Sequence, residues 1–144
     1  MVFATDHELQ IRAAWVAELV CLERIDLLAS QTKIFIENIS RVTNESALRP
    51  VAKMAYLLSG SHFDKPDTVW FPASGEVDLL VSSSFDWLIG EHKVATQVFA
   101  MKTLFLWSGQ LPWIQQELRH ILERNAVNSS MAYRAAARKI LEKI

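Results

Sequence analysis

Residues 85–113 read FDWLIGEHKVATQVFAMKTLFLWSGQLPW. Between Val94 and Trp107 only Thr96, Gln97, Lys102 and Thr103 are polar. A helix over this stretch is apolar on more than one side, so it is expected to be packed on more than one side, at the centre of the molecule. Gly90 and Gly109 each follow an apolar run, and Pro112 opens the next one. A glycine behind such a run reads as a left-handed stop, because it reaches positive φ without a Cβ clash. A proline at a helix start forgoes a hydrogen bond that the first turn does not make.

The same punctuation extends outward. Gly60 follows the run from Met54 to Leu58, Pro66 and Pro72 lie between apolar runs, and Pro50 lies near a helix start. The chain of 144 residues holds 4 Gly and 4 Pro, about half the roughly 12% that average usage would give. Such a chain cannot serve a β-sandwich with a turn every 8–12 residues. The fold class is therefore all-α.

Seven helices are predicted. The first starts at Thr5, with Glu8 completing a capping box, and carries Ile11, Trp15, Leu19 and Leu22 at helical spacing as its core face. The second covers about Arg24 to Val42, with Ser30 as a point where it can break, and the third runs from Asn44 or Ser46 to Leu58. The fourth runs from about Glu76 to Ile89, the fifth from His92 to Ser108, the sixth from Pro112 to Arg124 and the seventh from Ser129 to Ile144. They form a single domain over residues 1–144, interrupted by an irregular loop near 59–75. That loop sets Phe63, Trp70 and Phe71 among Asp64, Pro66, Asp67 and Pro72. Either the aromatics tuck back over a groove between helices, or Phe63, Trp70 and Phe71 form a partner-binding loop.

One pattern recurs: a long polar residue, a small or apolar residue three later, then Leu or an equivalent at seven or eight. It runs from Arg49 through Ala52 to Leu57, from Gln97 through Ala100 to Leu104, and from Arg134 through Ala137 to Leu141. A looser copy runs from Arg12 through Trp15 to Leu19. The intervals of about 40 residues match the two-helix unit of HEAT or armadillo-type arrays, and alanine at the recurring position lets helices approach closely. The chain also resembles a group of small uncharacterised bacterial HEAT-like proteins, in residues 85–101, Glu37 to Ile39, Ala47 to Lys53, Trp113 to Leu118 and Ala132 to Leu141. The resemblance covers most of the chain outside 59–75. It implies an α-α superhelix of three to four repeats, and no catalytic residues.

Residue chemistry excludes more than it proposes. Cys21, the one cysteine, cannot form an internal disulfide and reads as a small buried hydrophobe. Glu117 and His120 form one E-x-x-H pair, whereas a di-iron bundle needs two with further glutamates. His7, His62 and His92 are isolated, and no phosphate-binding glycine motif occurs. No catalytic residue, metal or cofactor is expected. The N-terminal region has no basic segment followed by an apolar core, and no window approaches the roughly 18 apolar residues of a membrane span. The expected protein is soluble and cytoplasmic, with no membrane partner.

Two functions compete. The leading reading is a non-enzymatic protein–protein interaction or scaffold module, with a protein partner and with self-association through an end helix as a route to a homo-oligomer. The alternative is a nucleic-acid-binding repeat protein. Residues 117–144 carry six Lys and Arg against three Glu, and Arg134 and Arg138, one turn apart, would contact phosphates.

Overall fold

A computed structural model describes residues 2–3, 6–64, 70 and 72–144. Those residues form eight α-helices and a short 3-10 turn. They are α1 (His7–Glu23), α2 (Ile25–Ala29), α3 (Thr32–Asn38), the 3-10 turn Ile39–Arg41, α4 (Glu45–Asp64), α5 (Ser74–Ile89), α6 (Val94–Ser108), α7 (Pro112–Ala126) and α8 (Met131–Leu141). No strand occurs among them. None of these helices is long and apolar enough to cross a membrane.

Helix α6 is the hub, packed against α4, α5, α7 and α8. Its Ala100, Met101 and Leu104 are wholly buried, and only Ala95 of its fifteen residues is exposed. This is the central helix expected from residues 94–107. Helices α1, α4, α6 and α8 touch one another in that order, while α5 and α7 lie against α6 and α3 against α5. Ala52, Ala100 and Ala137, the small residues of the recurring pattern, are each fully buried on α4, α6 and α8. Two of its long polar residues tie their helices to earlier parts of the chain. Gln97 donates to the carbonyls of Leu88 and Gly90, at 3.4 and 3.1 Å, and Arg49 pairs with Glu18.

Several predicted boundaries are corrected. The second predicted helix breaks at Ser30 and Gln31, at the point where a break was expected, and forms two helices and a 3-10 turn. The third runs six residues past Leu58 to Asp64, and the loop is correspondingly shorter than residues 59–75. Gly60 lies inside α4, because His62 and Phe63 of the extra turn pack on Trp107. That packing outweighs the roughly 1 kcal/mol penalty of a mid-helix glycine. No glycine among the described residues has a positive φ, so Gly60, Gly90 and Gly109 are not left-handed stops. Gly90 does end α5, in an extended conformation at φ −72° and ψ 169°. It is glycine for space: an added Cβ would lie 2.8 Å from Nε2 of His92 and 2.9 Å from the Asp86 carbonyl. The His92 ring folds over it to reach Glu45, at 2.5 Å, and the Lys93 amide donates to the same carboxylate at 3.2 Å. This clasp joins the start of α4 to the entry of α6.

Thr5, the predicted start of α1, lies outside the described residues. Asp6 caps the helix, its carboxylate accepting from the Leu9 amide at 3.0 Å.

Candidate functional site

Helix α1 is the second helix of the chain that is apolar nearly all round. From Ala13 to Leu22 its one charged residue is Glu18. The predicted core face of Ile11, Trp15, Leu19 and Leu22 is corrected here: Trp15, Leu19 and Leu22 are exposed, and Ile11 is half-buried. The face turned inward consists of Gln10, Ala14, Glu18 and Cys21. Small residues at 14 and 21 let α1 lie close on α4, and burial pushes the Cys21 thiol pKa up.

Charge decides this orientation. Glu18 is 7% exposed and pairs with Lys53 at 3.1 Å and Arg49 at 3.6 Å, both on α4. A buried carboxylate with one partner missing is costly, so the pair of cations holds the helix in one rotation. A second tie depends on Pro50. Proline has no amide hydrogen, so the Ser46 carbonyl, four residues earlier in α4, lacks its usual helical donor. The Trp15 indole N–H supplies one at 3.1 Å, and the Arg49 guanidinium lies 5.9 Å from the ring centre. Trp15 is thus fixed at its edge while about half of it faces water.

The consequence is a large apolar surface. Of thirteen exposed large hydrophobic side chains among the described residues, eight lie between Leu9 and Ile34. Val16 and Leu19, at 61% and 65% exposure, form a ridge on α1. Beside it Val20, Leu27, Ile34 and Phe35 line a hollow of about 300 Å³ floored by Cys21 and Leu28. Val20, one turn after Val16, borders the ridge and lines the hollow, which α1, α2 and α3 share.

The residues picked out in the sequence lie elsewhere. Trp70 is 3% exposed, its ring set edge-on to Trp107 at 6.2 Å and to His62 at 5.9 Å. Phe63 is half-buried and meets Trp107 edge-on at 4.8 Å. His62 stacks on Trp107 at 5.4 Å, and the Trp107 indole donates to Ser59 at 3.0 Å. Phe63 and Trp70 therefore belong to one aromatic cluster that closes the end of α4 over α6. Phe71 lies outside the described residues. Arg134 and Arg138 are exposed and border a shared hollow at the other end of the molecule, with Met131, Ala135 and Glu142. Glu117 and His120 are both exposed. No group of three His, Cys, Asp or Glu side chains is placed to hold a metal ion among the described residues.

No family model, curated protein or solved structure matches this chain. The surface therefore has to be read from its own chemistry.

The one sequence signal that could have located it is the i, i+4 series Gln10, Ala14, Glu18. Small and polar residues at that spacing, beside Arg49 and Lys53 four apart on another helix, mark a seam held by charge. The bulky residues of α1 must then face the other way.

Proposed function

We propose that this chain is a non-enzymatic protein-interaction module built as a short HEAT-like α-α superhelix, with its binding face on α1 to α3. The succession α1, α4, α6, α8 in contact, with fully buried alanines on the last three, supports the repeat reading. The observation that carries the functional reading is the outward apolar ridge of Val16 and Leu19 beside the hollow lined by Leu27 and Ile34. Apolar patches of this size on a folded protein mark interaction surfaces. Aromatic anchoring by Trp70 is not part of this proposal, because its ring is occupied by the chain's own core.

A photo-reactive amino acid placed at Leu19 tests it. The expected result is a crosslinked protein product, of this chain or another, that disappears when Val16→Arg is added. Absence of any product from positions 16, 19 and 34 overturns the reading.

The second reading, nucleic-acid binding, is supported by the hollow that Arg134 and Arg138 share. It predicts heparin retention that falls steeply with salt and is lost in Arg134→Ala with Arg138→Ala.

A further inference from the structure

We infer that the outward face of α1 is closed by a second copy of this chain, the two α1 helices crossing antiparallel about Val16 and Leu19. This rests on the reading of the face as an interaction surface and names its occupant.

Area gives the first argument. The exposed side chains of this face, Val16, Leu19, Val20, Leu27 and Ile34, leave on the order of 500 Å² of surface in water from their fractional exposures. That is at the upper end of the roughly 300–600 Å² of the largest patch on a typical monomer, and with a polar rim around it the face approaches the roughly 800 Å² that one partner contributes to a stable interface. Shape gives the second. A two-fold contact must be complementary to itself, so one copy needs both a projection and a recess. The Val16 and Leu19 ridge and the adjacent hollow of about 300 Å³ are such a pair. Each ridge enters the other copy's hollow, and Leu27 and Ile34 close around it.

Charge gives the third and fixes the direction. The apolar segment of α1 is flanked by Arg12 on its N-terminal side and Glu23 on its C-terminal side, both exposed. A parallel pairing sets Arg12 against Arg12 and Glu23 against Glu23, which repel. An antiparallel pairing sets Arg12 of each copy near Glu23 of the other, which attract. The formal net charge of −1 adds no long-range repulsion between copies. Glu8, Glu23 and Asp26 outnumber Arg12 and Arg24 around the face, so it does not suit an anionic membrane surface.

Sedimentation equilibrium of the full chain across the micromolar range tests the inference. The expected mass rises toward twice 16.4 kDa. Leu19→Glu, and independently Val16→Arg, keep the chain monomeric with unchanged helical circular dichroism and urea midpoint. Arg12→Glu weakens association several-fold, and adding Glu23→Arg restores it. A dimer that survives both Leu19→Glu and Val16→Arg overturns the inference. So does a chain that stays at 16.4 kDa throughout while the crosslinker at Leu19 captures a different protein, a result that leaves the interaction reading standing. A monomer that floats with phosphatidylserine vesicles also overturns it. A monomer that neither crosslinks nor binds vesicles removes the inference and the interaction reading together.

Discussion

Helices α1 and α6 are both apolar nearly all round, and the molecule treats them oppositely. Four helices enclose α6, whereas α1 lies against α4 and α2 and leaves its bulky side to water. The one charge inside each apolar stretch shows why. Lys102 of α6 reaches along the surface, its ammonium 5.7 Å from the Tyr56 ring centre and 5.9 Å from that of Phe99. A long cation can bury its stem and keep its head near water. Glu18 of α1 has no such reach, and it points inward to Lys53 and Arg49. Apolar character all round a helix therefore marks a need for partners, and the charges decide which partners lie inside the chain.

The largest effects should separate the two helices. Leu104→Ala on α6, a wholly buried site, is expected to cost about 2–5 kcal/mol in urea unfolding. Leu19→Ala on α1, measured at dilute concentration, should stay within about 0.5 kcal/mol of the parent. Equal losses would mean that the outward face of α1 is covered by the chain itself.

Gly90 tests the entry of α6. With the Asp86 carbonyl 2.9 Å from an added Cβ, Gly90→Ala should destabilise by roughly 1–3 kcal/mol, because backbone must move. At Gly60, on the helix that joins α1 to α6, an added Cβ meets nothing closer than Asp64 Oδ2 at 3.6 Å. Gly60→Ala should therefore stabilise by about 0.5–1 kcal/mol. If both alanines destabilise alike, the account of the Gly90 clasp fails.

Acid sharpens the same point. Burial pushes the Glu45 pKa up, but the His92 ring and the Lys93 amide pull it further down, so it ends below the ordinary carboxylate value. A lowered folded-state pKa adds stability that is full above the unfolded value and is lost as pH falls through the folded one. The group is about one-third exposed, so solvent screening keeps the contribution below about 1 kcal/mol. Glu45→Gln should remove this part of the acid limb, seen in thermal midpoints measured from neutral pH downward. An identical acid limb in the variant would show that the clasp contributes nothing.

The sequence made the all-α class and the central place of α6 legible, because few turn formers and an uninterrupted apolar run need only local reading. The inward set of the recurring alanines was legible for the same reason. The rotation of α1 was not. Its apolar residues occupy both sides, so periodicity had no face to prefer, and the deciding contacts join Glu18 to residues more than 30 positions away. The glycine stops were legible in place at Gly90 and Gly109, which end α5 and α6, but not in conformation, and Gly60 is held in helix by Trp107, 47 residues on.

The central claim is that the ridge of α1 is a binding face, and side-chain footprinting against protein concentration tests it most directly. Hydroxyl radicals should modify Trp15 and Leu19 strongly at low concentration, and protection should rise with association while exposed Met131 at the other end of the molecule keeps its rate. Unchanged modification of Trp15 and Leu19 at every concentration, in a chain that does associate, would contradict it.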